Sequence, residues 1–388
     1  MSAASPSPVA VTATSLVSSL GIDVEAACAA HRAGIARPSV LDTYKVGTLD
    51  SATGVTVHAA PAITHGFEGD ARLLRLLEVA FRRLVRWADR DWMQGRTGVY
   101  ASVPHVDRLF SGLDLIPDVA VRAKERERWT QRTEERGGSP DAAAWARHLI
   151  EKAARLAGLP QAPVVRGLSM SGHTGVAEAL ALAHRDLAGG TVDFALVGGV
   201  DSWIDGPTLQ WLERRGRLKS PTMPVGLPPG EACGWLVLES VTHARTRQAE
   251  IAALIGGTVT DREEQTQLSG QVSVGRALVR ILNGVAPAAG WPAGAPPWLV
   301  VDQNGETYRA HEWGCALSGL VDRFPAFQQP TTWFPVASFG DVGAATGVVQ
   351  ACVTIQAFSR GYAPAETAVL LASGDSGHRT ATPVLAPR

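Results

Sequence analysis

The sequence predicts a layered α/β protein built from two similar halves, and three observations predict it. Strand-like apolar runs alternate with amphipathic helical stretches along most of the 388 residues. Hydrophobic residues make up 45% and charged residues 19%, which supplies a substantial core for one large α/β domain or two ordinary ones. Finally, "VVRGLSMSGHTGVAEALALAHRDL" and "FPVASFGDVGAATGVVQACVTIQAF" echo each other, both reading as strand, glycine-rich turn, helix. Two halves of this kind would bring their turns face to face.

The elements follow in order. Residues 9–15 read as a strand, and residues 23–33 as a helix capped by Asp23 and stopped by Gly34. Residues 71–91 form a long helix with Leu73, Leu74, Leu77, Ala80, Phe81, Leu84 and Val85 on its apolar stripe. A short strand over 98–103 precedes "VRAKERERWTQRTEERGG", whose mixed charges read as a solvated helix laced with ion pairs. A helix over 142–156 leads to a strand at 164–168, the turn "SMSGHTG", its helix, and a strand at 193–200. Strands are expected at 234–239 and 251–260, then a helix at 275–282 and an Ala/Pro/Gly-rich loop over 284–297. The chain closes with a strand at 298–301, a helix at 308–320, a strand at 334–338, a helix at 343–358 and strands at 367–372 and 380–385.

Composition excludes several function classes. With 36 basic and 37 acidic side chains there is no net field to steer nucleic acid or a membrane surface. Cys28, Cys233, Cys315 and Cys352 are far apart and form no CxxC pair, which argues against a disulfide framework or a zinc site and fits a reducing cytoplasm. The N-terminus carries no Lys or Arg before Arg32, so the charged region of a signal peptide is missing, and no stretch is apolar enough for a membrane span. There is no GxGxxG after a strand, no GxxxxGK[ST] and no HExxH, and the histidines are scattered. Neither a cofactor nor a metal is expected.

Longer segments carry a resemblance. "VAVTATSLVSSLGIDVEAACAAHRAG", "GGTVDFALVGGVDSWIDGPTLQWLERRGRLKS", "PPGEACGWLVLE" and "SFGDVGAATG" resemble, in chain order, the opening, the central block and the late glycine turn of β-ketoacyl synthases. The resemblance runs from residue 9 to about residue 370. It implies a thiolase-like five-layer α-β-α-β-α fold with two pseudo-symmetric halves. These would be an N-terminal half over 9–245, with a charged helical insertion at about 118–158, and a C-terminal half over 246–388, after a tail of residues 1–8. It also implies a homodimer.

Condensing members of that family use a cysteine nucleophile, two histidines and a lysine. Matched to this sequence, the cysteine's place falls on His173, or on Ser171 if the turn slips by two residues. Asn304 stands at the first histidine, Asp341 at the second and Val336 at the lysine, while "SGDSGH" corresponds to the gatekeeping glycine loop. Decarboxylative condensation needs a thiolate and polarising donors, so the resemblance implies a chain that does not condense acyl groups.

Two readings of the altered site follow. In one, Ser171, His173 and Asp341 form a hydrolase or acyltransferase triad with Asn304 as oxyanion donor, and the helix dipole keeps His173 neutral. In the other, chemistry is gone, the serines satisfy turn backbone, and His173 fills the old cysteine's space and bonds to Asp341 or Asn304. The second reading is preferred, because every catalytic position has changed. The crowded segment "VDQNGETYRAHEWG" is then either held by a buried Arg309–Glu pair or forms a recognition surface. It resembles a loop of ketosynthase-like proteins that accompany bacterial type VI secretion effectors. The expected partners are therefore a secretion effector or adaptor, an active ketosynthase whose chain length this subunit shapes, or an acyl carrier protein. Trp87, Trp92, Trp129 and Trp313 would serve such an interface, although most tryptophans are expected to pack in the core.

Overall fold

In a computed structural model, the structure describes residues 7–47, 52–87, 91–104, 118–135, 141–161, 163–289 and 297–387. The strands are β1 (Val9–Ser18), β2 (Ser39–Val46), β3 (Thr53–Val57), β4 (Thr97–Ser102), β5 (Val164–Ser169), β6 (Phe194–Ser202) and β7 (Glu231–Ser240). They continue as β8 (Ala253–Ile255), β9 (Val259–Arg262), β10 (Trp298–Val301), β11 (Thr331–Trp333), β12 (Thr367–Ser373) and β13 (His378–Leu385).

Hydrogen bonding orders the main sheet β11-β10-β12-β13-β8-β1-β7-β6-β4-β5. Each half contributes five of these strands in the same arrangement. Counted within its own half, each reads 3-2-4-5-1, and β9 is an addition beside β13. The directions match as well: β4 is parallel to β5 and β6, and β10 is parallel to β11 and β12, while β7 and β13 return antiparallel. The halves join where Val9–Val11 of β1 pair with Ala253–Ile255 of β8.

Three apolar clusters fill the spaces between five layers. Helices Gly69–Trp87 and Ala142–Leu156 bury Leu76, Phe81, Trp145 and Ile150 against the outer face of the first half's strands, where Phe81 stacks on Trp235 at 4.6 Å. Helices Arg276–Ala289 and Thr307–Val321 bury Ile281, Leu282, Ala316 and Leu320 against the other outer face. Helices Gly175–Ala188 and Thr346–Ser359 fill the middle. Thr346–Ser359 is apolar nearly all round because sheet covers it on both sides. The thiolase-like α-β-α-β-α architecture is therefore present. A fourth, smaller cluster caps the first half, where the β2–β3 hairpin packs on Trp203, Leu209, Leu218 and Leu227.

Several expectations are corrected. The stretch 251–260 is two strands, because the chain breaks at Gly256 to bond the Pro383 carbonyl (2.9 Å). The helix expected to end at 282 runs to Ala289 with Pro287 in its last turns, since Leu278, Ile281, Leu282 and Val285 hold it to the sheet. Residues 290–296 of the expected loop lie outside the described residues. The strand expected at 334–338 is instead a helical turn, Val336–Phe339, entered through Pro335 in helical geometry. The edge strand there is β11, which ends before it. Within 118–158, the charged helix is Val119–Glu135, and the helix Ala142–Leu156 packs in the core. The β2–β3 hairpin was missed, and β2 is largely exposed. Of the candidate interface tryptophans, Trp92 is buried and Trp313 half-buried, while the side chains of Trp87 and Trp129 lie outside the described residues. Among the described residues no helix is long and apolar enough to cross a membrane.

Candidate functional site

The two glycine-rich turns meet at the centre of the molecule. Strand β5 delivers Ser169, and after it residues Gly172–Thr174 make one 3-10 turn before the helix Gly175–Ala188. Opposite, Gly343–Ala345 make the matching turn before Thr346–Ser359. Gly343 takes φ +47°, and a Cβ there would lie 2.1 Å from Asp201 Oδ2 and 2.9 Å from the Trp203 indole nitrogen. Only glycine lets this backbone come so close.

Asp341 is the hub. Its carboxylate is fully buried and accepts from His173 Nε2 (2.9 and 3.0 Å), Asn304 Nδ2 (2.8 Å), Trp203 Nε1 (3.1 Å) and the Gly343 amide (2.9 Å). Burial alone would raise its pKa, but His173, Arg309 and Asn304 outweigh that and hold it well below the usual carboxylate range. The neighbours also set the His173 tautomer: Nε2–H donates to Asp341, and Nδ1 faces Arg309 Nη2 at 3.4 Å. Burial opposes a charge on the ring and so does Arg309, yet Asp341 prevails and His173 titrates above an ordinary histidine. The expectation that the helix dipole keeps this ring from charging is thus corrected. A carboxylate in direct contact outweighs the dipole of one helix end.

Further charged side chains pack around this hub. Arg309 donates Nη1 to Asp302 Oδ2 (2.8 Å), with its Nε 3.7 Å from Glu306. Arg217 donates to both oxygens of Glu306 (2.6 and 3.0 Å) and to both oxygens of Asp375 (2.7 and 3.3 Å). Tyr308 donates to Asp375 at 3.2 Å, and Asn304 bridges Glu306 to Asp341 with 2.8 Å bonds on each side. The crowded segment 302–313 runs into the helix Thr307–Val321 and buries Asp302, Asn304, Glu306, Arg309 and Glu312 as scaffold, while Gly305, Thr307, Ala310 and His311 are exposed.

Ser171 stands apart. Its Oγ donates to Glu178 Oε2 (2.9 Å), which also accepts from Ser169 Oγ (2.8 Å). The structure thus brings His173, Asn304 and Asp341 together and turns Ser171 the other way. A triad needs Ser171 Oγ on the imidazole, and here that imidazole serves Asp341 and Arg309. Val336, which the resemblance matches to the lysine, lines a cavity of about 10 Å3 with Asp302, and His173 lines another of about 10 Å3 with Leu180 and Gln350. Each has room for about one water molecule. Among the described residues, no group of three or more His, Cys, Asp or Glu is arranged to hold a metal ion.

Sequence reasoning missed Arg217, Trp203 and Asp375 as members of the cluster. Arg217 sits in "RRGRLKS" with no local pattern to separate it from its arginine neighbours. Its distinguishing feature is burial, at 2% exposure, with the Trp211 ring centroid 5.6 Å from its guanidinium carbon.

No protein-family model matches the sequence, and no curated protein matches it. Solved structures do. The ishigamide ketosynthase/chain length factor superposes with a TM-score of 0.73 at 17% identity, covering 99% of this chain and 100% of that one. A type II polyketide synthase acyl-carrier protein in complex with its ketosynthase bound to the hexaketide, AntDE:AntF, gives 0.71 at 15% identity, with 99% and 100% covered. The ketosynthase from module 6 of the bacillaene synthase of Bacillus subtilis 168 gives 0.70 at 16% identity, with 98% of this chain and 72% of that one covered. At such identities the likeness carries the fold, and the chain has the thiolase-like fold of ketosynthases and chain length factors.

Proposed function

We propose that this chain is a ketosynthase-like subunit without a condensing site, and that it works by binding another polypeptide. The supporting observation is the Asp341 hub. The residues matched to the family's cysteine and two histidines (His173, Asn304 and Asp341) meet in a buried cluster, where His173 and Asn304 both bond to Asp341. A nucleophile must have a free lone pair aimed at open space. His173 has one nitrogen on a carboxylate and the other facing a guanidinium. On this reading His173, not Ser171, holds the cysteine's place, and Ser171 belongs to the turn.

The partner we favour is a ketosynthase or an acyl carrier protein, because the similar structures include a ketosynthase/chain length factor and a ketosynthase with its acyl-carrier protein. A homodimer, or a complex with a secretion effector or adaptor, is the alternative assembly. The test is intact-mass measurement after exposure to acyl-CoA and acyl-carrier-protein thioesters. The expected result is an unchanged mass. A stable acyl adduct on Ser171 or any residue of the cluster would overturn the proposal in favour of an acyltransferase or thioester hydrolase.

A further inference from the structure

Asp375 differs from the other carboxylates of the cluster. It sits in the four-residue connection between β12 and β13, and its side chain is 25% exposed, whereas Asp302, Glu306 and Asp341 are at most 4% exposed. None of its four donor contacts comes from its own connection. Arg217 supplies Nη1 at 2.7 Å and Nη2 at 3.3 Å, Tyr308 supplies its hydroxyl at 3.2 Å, and Arg309 Nη2 lies 3.5 Å away. Both guanidiniums are fixed without it, Arg217 on Glu306 and Arg309 on Asp302. The donors therefore form a cradle assembled independently of the loop that fills it. Planar guanidinium donors of this kind match the two oxygens of a carboxylate.

We propose that this cradle is a carboxylate-binding site in which Asp375 acts as an internal placeholder, exchanged for the carboxylate of a ligand or partner. The exchange is a side-chain rotation. The connection's backbone is held by Gly374 N to the His378 carbonyl (2.8 Å), by Arg379 Nη1 to the Gly374 carbonyl (2.9 Å) and by Glu263 N to the Gly377 carbonyl (2.8 Å). Swapping one carboxylate for another leaves the charge of the cluster unchanged. A phosphate dianion would add negative charge beside Asp302, Glu306 and Asp341, so the site takes carboxylates in preference to phosphate.

The test is chemical rescue of Asp375→Ala, which empties the cradle and leaves buried donors unpaired. Sodium acetate, compared with sodium chloride at equal ionic strength, is expected to raise its melting temperature saturably by about 2 °C or more, with phosphate giving less. Asp375→Asn fills the cradle with a side chain of the same shape, and it is expected to fold and show no such rise. Wild-type protein then separates the sources. A rise with acetate assigns the cradle to a free carboxylate, and a rise with a glutamate-rich peptide alone assigns it to a partner's acidic side chain. Equal responses of Asp375→Ala to acetate and chloride, or an equal acetate response in Asp375→Asn, would overturn the proposal. It is independent of whether His173 is catalytic, so an acyl adduct would sink the proposed function and leave this one standing.

Discussion

The two turn–helix units, each a single 3-10 turn running into a helix, are alike in backbone and opposites in how they use their polar groups. In the first, Ser169 and Ser171 both turn to Glu178, a half-buried carboxylate on their own helix, and only His173 reaches across. In the second, Asp341 draws donors from both halves of the chain, including its own Gly343 amide. One turn keeps its bonds local and near solvent, and the other gathers distant partners into a dry centre. The difference teaches that the stability held at this site is carried by Asp341, with the serines incidental to it.

The largest effect expected from breaking that asymmetry is at Asp341. Asp341→Ala strands the donors of His173, Asn304 and Trp203 in a buried site, and a urea titration is expected to show a loss of about 3–5 kcal/mol. Retention of wild-type stability would refute the hub.

An intermediate effect comes with pH. Asp341 and Asp375 titrate lower when folded than the ordinary carboxylate, so they stabilise the fold above about pH 4 and lose that contribution as pH falls. His173 titrates higher when folded, so its contribution is complete below about pH 6.5 and fades as pH rises through its folded pKa. Stability followed by circular dichroism is therefore expected to peak between these limits, and Asp341→Asn is expected to flatten both flanks. An unchanged pH profile in that variant would show that the hub does not control the titration.

The smallest effect is at the other turn. Ser171→Ala removes one hydrogen bond to the half-buried Glu178, which still accepts from Ser169, and is expected to cost about 0.5–1.5 kcal/mol with no change in the acid profile. A loss as large as that of Asp341→Ala would erase the distinction between the turns.

Much of the fold was legible because its signals are local. The helix over 142–156 and the strand over 298–301 match the sequence reading residue for residue, since apolar spacing and flanking turn residues mark their ends. Misreadings fell where tertiary contacts override local pattern, as at Pro287, or where a short apolar run fits a strand or a helical turn equally well, as at Val336. His173, Asn304 and Asp341 were reached through resemblance to a family, not through spacing, because they are separated by 168 and 37 residues in the chain. Arg217 and Asp375 lie 158 residues apart, and nothing near either one announces the other.

The narrow seam between the halves gives the His173–Asp341 contact a further meaning. Among the described residues, three residue pairs of β1 and β8 join the strands of the two halves, and backbone bonds of Asp341 to Pro228 and Gly230, helix packing and this cluster make up more of the junction. Prising the halves apart would pull His173 from Asp341 and Arg217 from Glu306, and would break charge pairs that are held in a buried site. The cluster thus acts as a rivet across the seam, adding charge pairs to the packing that joins the halves.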